Sequence, residues 1–173
     1  DYFDVARFIS IFTPPNYPSR RKGPISEERM LSGEIEEGNA GNAASVIACI
    51  KYCEALREQF GKRFVSLLPC HLYGPGDRYE VGDSRLIPSL ILKMVLAKRN
   101  GDRSITCQED GDDETEFLYC DDMAAACVQV MDDDGGFPIL NVGSGVAVSQ
   151  RRLAGLIASI IGFGGEVAWG ASG

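Results

Sequence analysis

The chain has 173 residues, and 17 Lys and Arg stand against 25 Asp and Glu for a formal charge of −8, which disfavours nucleic acid as a partner because a phosphate-backbone binder needs a basic stripe. Hydrophobic residues make up 45% and charged residues 24%, a globular mixture that excludes a wholly disordered chain. No apolar run approaches the roughly 20 residues that span a bilayer.

Arg7–Phe12 is a short apolar run and predicts a buried strand. Thr13 to Gly41 is rich in Pro, Gly and charge and reads as a long loop, with a helical turn near Ser26–Leu31. Asn42–Phe60 places Val46, Ile47, Ile50, Cys53, Leu56 and Phe60 at helical spacing, and Gly61 ends the pattern. Arg63–Leu68 predicts the next buried strand, and Tyr73–Gly82 a turn-rich loop. Ser84–Lys98 predicts a helix closed by Asn100-Gly101, with Pro88 in its first turns. Ser104–Cys107 and Glu116–Tyr119 are short strand candidates. Asp121-Asp122 opens an apolar helix through Met131, with acid at its positive end. Phe137–Val142 predicts a strand, Ser149–Ile161 a helix capped by Ser149 and ended by Gly162, and Glu166–Trp169 a last strand. Strands that alternate with helices in this way predict an α/β fold with a parallel sheet. Such sheets bind ligands at the carboxyl ends of their strands, so chemistry is expected in the loops after Phe12, Leu68 and Tyr119.

The six cysteines are Cys49, Cys53, Cys70, Cys107, Cys120 and Cys127. No C-x-x-C pair exists and the only histidine is His71, so no zinc site is expected. Most of the cysteines sit in apolar runs, which predicts reduced, buried thiols and a reducing compartment such as the cytoplasm. The alternative is a metal or redox pair of Cys49 and Cys53, one helical turn apart, although further ligands are lacking. Asp1 and Asp4 occupy the place of a basic leader segment, so no secretory signal is expected. The absence of an initiator Met points to a start further upstream.

Several stretches in order carry a resemblance: Leu68-Pro69-Cys70-His71-Leu72-Tyr73-Gly74-Pro75, Leu86-Ile87-Pro88, Glu116-Phe117-Leu118 with Asp121-Asp122-Met123-Ala124, and Asn141-Val142-Gly143-Ser144-Gly145. Together the chain resembles the extended short-chain dehydrogenase/reductase family, the NAD-dependent epimerases and dehydratases. The resemblance implies part of a Rossmann-like fold, its C-terminal half with part of the substrate lobe. Residues 1–75 would form the sheet and helix core, 76–115 a substrate-lobe segment and 116–173 the return. The family's first half, with its G-x-x-G-x-x-G turn for the pyrophosphate, has no counterpart here. Gly162-Phe163-Gly164-Gly165 follows a helix and reads as a C-cap and loop instead.

The resemblance also implies a set of site positions. Family members pair Tyr and Lys in a Tyr-x-x-x-Lys spacing. The lysine lowers the phenol pKa and holds the nicotinamide ribose, so that the tyrosine exchanges a proton with the sugar. The tyrosine position falls on Asn42 and the lysine position on Val46. The family's serine falls on Thr13, its epimerising cysteine on Pro15 and that cysteine's histidine partner on Arg85. Pro69, Cys70, His71 and Leu72 match the segment whose backbone faces the nicotinamide. Lys93 falls on a basic substrate contact, and Thr115 on the arginine that holds the sugar-nucleotide diphosphate. Around Thr115 run Glu109, Asp110, Asp112, Asp113, Glu114 and Glu116. Each like charge near a diphosphate costs on the order of 1 kcal/mol at about 4 Å even in water. This run reads as a solvated surface loop.

No tyrosine of the chain has a lysine four residues later. Asn42 has no titratable proton and Val46 no charge. Proton transfer contributes typically about 10²–10⁴-fold, so these replacements predict near-loss of the family's chemistry. The leading expectation is a non-catalytic relative, a structural or regulatory subunit that associates with another protein chain. The alternatives are part of an active NADP-dependent nucleotide-sugar epimerase/reductase, with His71 as substitute proton donor, and a sensor that holds NADP(H) without turnover.

Overall fold

The computed structural model describes residues 4–12, 25–29, 40–80, 85–107, 111–133 and 135–170. In chain order these form β1 (Arg7–Ile11), a 3-10 turn (Glu27–Arg29), α1 (Ala40–Phe60), β2 (Arg63–Pro69), β3 (His71–Tyr73), α2 (Leu86–Asn100), β4 (Ser104–Cys107), β5 (Glu114–Tyr119), α3 (Cys120–Asp132), β6 (Ile139–Val142), β7 (Ala147–Ser149), α4 (Gln150–Ile161) and β8 (Glu166–Trp169). Two compact units result. One takes Asp1–Leu72 and Leu118–Ser144, the other Tyr73–Phe117 and Gly145–Gly173.

In the first unit β1, β2 and β6 make a parallel sheet with β2 at its centre. Val65–Pro69 of β2 are all buried, as befits a strand covered on both faces. Alternation along the strands divides the side chains between two layers. Leu68 packs with Val46 and Ile50 of α1, joined by Phe12 and Ile139. Val65 and Leu67 point the other way, to Leu118 and Met123, joined by Ile9 and Leu140. The buried stripe of α1 is Ala43, Val46, Ile50 and Cys53, spacings of three and four residues that share one helical face. Gly61, at φ 64°, donates its N–H to Arg57 O and ends the helix.

The second unit is built on α2 and α4. Leu90, Met94 and Ala97 of α2 meet Ala154 and Ile157 of α4, with Ile105, Cys107 and Phe163 completing the core. The parallel pair β4–β8 lies against it, Val167 and Trp169 contributing side chains. β5 runs antiparallel to β7, with Thr115 opposite Val148. Ser149 caps α4, its Oγ accepting from Arg152 N at 3.3 Å. The next two amides of that first turn donate to carbonyls of the acidic segment, Gln150 to Asp113 and Arg151 to Gly111. Gly162 closes α4 in the left-handed conformation, so the Gly162–Gly165 stretch is the C-cap and loop that its place after a helix implies.

The structure departs from the expected elements in places. β3 and β7 are added strands of three residues each, too short to show an alternation. The expected strand at Phe137 begins only at Ile139, because Gly135 and Gly136 hold positive φ just ahead of it. Phe60, placed on the core face by its spacing, is exposed in the last turn of α1. Of the six thiols only Cys53 and Cys107 are buried. Cys70, Cys120 and Cys127 are half-buried and Cys49 is exposed, and all six are thiols outside any disulfide. Within the expected loop before α1, a 3-10 turn spans Glu27–Arg29, and Thr13 and Pro15 lie outside the described residues.

Candidate functional site

The carboxyl ends of β1, β2 and β6 define where a ligand of the first unit's sheet belongs. Cross-strand bonds hold these ends in register. Phe12 N donates to Leu67 O at 3.0 Å and Cys70 N to Val142 O at 2.9 Å. Pro69 is buried at the end of β2. Cys70 and Leu72 pack into the α3-side core, whereas His71 between them is exposed. Cys70 and Leu72 thus turn inward, and His71 lies exposed between them.

Asn42 lies exposed in the first turn of α1. Val46, one turn on, is 7% exposed and packs against Ile50 and Leu68. The helix therefore brings the two positions to the spacing a Tyr–Lys pair uses, but the second is part of the core. Neither side chain supplies the cation that the family sets beside the nicotinamide ribose. The residues present do not fit that role.

Beneath α1 lies a polar cluster that the sequence pattern does not reveal. Ser10 and Ser66 are register partners in β1 and β2, and their hydroxyls meet at 2.9 Å. The Cys53 thiol lies beside both hydroxyls. Burial pushes this thiol up from its ordinary pKa, against the opposing effect of the two hydroxyls. The cluster is internally satisfied, and so it reads as structural. The segment before α1 is tied to β6 by Asn141, whose N–H donates to Glu27 Oε1 at 2.7 Å and whose Nδ2 donates to Ile25 O at 2.8 Å.

In the second unit Arg85 is exposed immediately before α2, and its carbonyl accepts from Ser89 N at 2.9 Å. Lys93 is exposed on α2 and donates to Thr106 O at 3.1 Å. Thr115 is half-buried in β5. The acidic run, expected to be a solvated loop, is more constrained than that where it is described. Glu116 Oε1 accepts from Gly145 N at 2.6 Å. Asp112 accepts from Arg151 Nε at 3.3 Å, and the Arg151 guanidinium lies 5.3 Å over the Trp169 ring. Partners that lie far along the chain explain why local composition misses these contacts.

A cavity of about 390 Å³ lies in the first unit, lined by Lys51, Glu54, Arg57, Glu58 and Pro138. Pro138 precedes β6, so this groove is at the amino end of the sheet, away from the expected ligand end. No group of three or more His, Cys, Asp or Glu side chains able to hold a metal lies among the described residues. No helix among them is long and apolar enough to cross a membrane.

Comparison with known proteins agrees with this architecture. GDP-L-fucose synthase 1 of Arabidopsis thaliana is 37% identical over 153 residues, which are 88% of this chain and 47% of that protein. GDP-L-fucose synthase of Escherichia coli (strain K12) is 34% identical over 178 residues, 98% of this chain and 56% of that protein. The chain spans about half the length of the curated relatives it matches. Among solved structures, a GDP-L-fucose synthetase from Naegleria fowleri has a TM-score of 0.85 at 24% identity, covering 99% of this chain and 55% of that one. A GDP-D-glycero-L-gluco-heptose synthase from Campylobacter jejuni, crystallised in the presence of NADPH, has a TM-score of 0.86 at 23% identity, covering 96% and 60%. These last two likenesses bear on the fold. Residues 2–143 match the NAD dependent epimerase/dehydratase family, and with the parallel sheet and its two helical layers in place, the chain belongs to that family.

Proposed function

We propose that the chain is a non-catalytic, GDP-L-fucose-synthase-like member of the family, a structural or regulatory subunit that keeps the scaffold without the proton-transfer groups. The observation that carries this reading is the burial of Val46 against Ile50 and Leu68. At the family's lysine position the chain uses an aliphatic side chain to fill its core. Asn42 adds no proton donor at the tyrosine position. Thr115 and its acidic neighbours replace the diphosphate-binding arginine, which supports the same conclusion from the phosphate side. Six thiols outside any disulfide support a reducing compartment such as the cytoplasm.

A second reading is supported by the 34–37% identity to GDP-L-fucose synthases and by the exposed His71 at a strand end. It makes the chain part of an NADP-dependent nucleotide-sugar epimerase/reductase, with His71 as the proton donor and Lys93 on the substrate. The test is NADPH oxidation by the polypeptide purified from its native source, with GDP-4-keto-6-deoxymannose as substrate, alongside an NADPH fluorescence titration. No turnover is expected. Turnover that His71→Ala abolishes would establish the second reading, and micromolar NADPH binding without turnover would make the protein a nucleotide sensor.

A further inference from the structure

Of the asparagines at Asn16, Asn39, Asn42, Asn100 and Asn141, only Asn100 precedes a glycine. A glycine leaves its own amide nitrogen open to approach, since no side chain shields it. Asn100 is the last residue of α2, and it and Gly101 are exposed. Gly101 takes φ 77° and ψ 19° and donates its N–H to Ala97 O. Asp102 N donates to the same oxygen at 2.9 Å, so the end of α2 is closed by two amides on one acceptor. Among the described residues, nothing beyond the chain neighbours lies within 4 Å of where a Cβ on Gly101 would stand. A ring can close there without displacing a neighbour. Asn141, by contrast, sits in β6 with its N–H on Glu27 Oε1 and its Nδ2 on Ile25 O.

We propose that Asn100-Gly101 is a site of spontaneous deamidation, gated by opening of the last turn of α2. The Gly101 amide, once it has left Ala97 O and lost its proton to solvent base, attacks Asn100 Cγ. The new N–Cγ bond closes a succinimide ring, the Cγ–Nδ2 bond breaks, and the amide nitrogen takes up a proton and leaves as ammonia. Water then opens the ring at either carbonyl, giving aspartate or isoaspartate. While the Gly101 N–H rests on Ala97 O the nucleophile is withheld, so fraying of this turn sets the rate, and helix ends open at the lowest cost. The product places a carboxylate at the negative end of the α2 dipole. Isoaspartate also reroutes the main chain through the side-chain carbon, which misaligns the two amides on Ala97 O. Ala97 packs in the core shared with α4, and the neighbouring Lys98 Nζ holds Ile161 O at 2.6 Å. The modification therefore loosens the α2–α4 pairing. It stands apart from the non-catalytic reading: NADPH turnover would overturn that reading and leave this chemistry in place.

The purified chain is held at physiological temperature near pH 7 and near pH 9 and sampled over weeks by peptide mass spectrometry. An amide-to-acid mass gain is expected at Asn100 ahead of every other asparagine. Its rate is expected to rise roughly tenfold or more between the two pH values, because the deprotonated amide is the attacking form. Unfolding in guanidinium chloride is expected to speed it by roughly tenfold or more, because Ala97 O no longer holds the Gly101 N–H. The aged chain is expected to melt below the fresh one, and an Asn100→Gln chain aged alongside is expected to keep its melting temperature. Absence of the gain in the folded chain when the unfolded chain shows it would overturn the proposal. So would equal rates in the folded and unfolded chain, a rate independent of pH, or equal melting of the aged and fresh chains after the gain is complete.

Discussion

Cys49 and Cys53 lie one turn apart on α1, yet their chemistry diverges because Cys53 falls within the helix's buried stripe and Cys49 just outside it. Cys49 is exposed. Cys53 is buried, and desolvation raises its pKa. The thiolate is the reactive form, so burial and a raised pKa both slow alkylation. Brief treatment of the native protein with iodoacetamide near pH 8 is expected to label Cys49 and leave Cys53 and Cys107 unlabelled, with both reacting once denaturant is added. Peptide mass spectrometry reads the sites directly. Labelling of Cys53 at the rate of Cys49 under native conditions would mean that α1 opens there readily. The same contrast argues against a two-thiol redox pair in the folded helix, since one member is committed to the core.

At the level of elements, the first turn of α4 joins β7 to the acidic segment. Ser149 Oγ caps it, and the Asp113 and Gly111 carbonyls take the next amides. Gly111 holds φ +84°, and a Cβ there would stand 2.7 Å from the Trp169 ring. Ser149→Ala is expected to cost about 1 kcal/mol, the usual loss of an N-cap. Gly111→Ala is expected to cost about 2–4 kcal/mol, because left-handed strain and overpacking act together. Urea unfolding of both variants checks the order, and a Gly111→Ala as stable as wild type would show that the loop repacks freely. Most of these elements are legible in the sequence. Ser149 and Gly162 bracket α4, and the apolar run of β2 marks a buried strand. What is hidden depends on distant partners. The Glu116–Gly145, Asp112–Arg151 and Asn141–Glu27 contacts, and the Ser10–Ser66–Cys53 cluster, join residues far apart in the chain. β3 and β7 exist because neighbours pair with them, with too few residues to carry a period. The resemblance assigns the family's Tyr and Lys to Asn42 and Val46, but that Val46 is a core residue follows only from Leu68 lying across from it.

For the whole molecule, the question is what a charge at position 46 does to the fold of the first unit. The substitution Asn42→Tyr with Val46→Lys tests it. Asn42 is exposed, so tyrosine fits there. Val46 is not, and a lysine in its place faces Ile50 and Leu68. Leaving an unpaired charge buried costs roughly 3–5 kcal/mol. Burial disfavours the charged form, so the introduced lysine titrates lower in the folded state than in the unfolded state. The unfolded state then binds more protons, and stability rises with pH between the depressed value and about 10.4. The double variant is therefore expected to melt below wild type at pH 7, to recover part of the deficit at pH 9.5, and to oxidise no NADPH with a keto-deoxy sugar nucleotide. Thermal melts at the two pH values and a single absorbance assay decide it. NADPH oxidation by the variant would mean that only these two groups were wanting and that a nucleotide-binding half is at hand. A deficit in stability without activity fits a core in which position 46 is committed to packing, so that placing a charge there requires rebuilding the contacts with Ile50 and Leu68 as well.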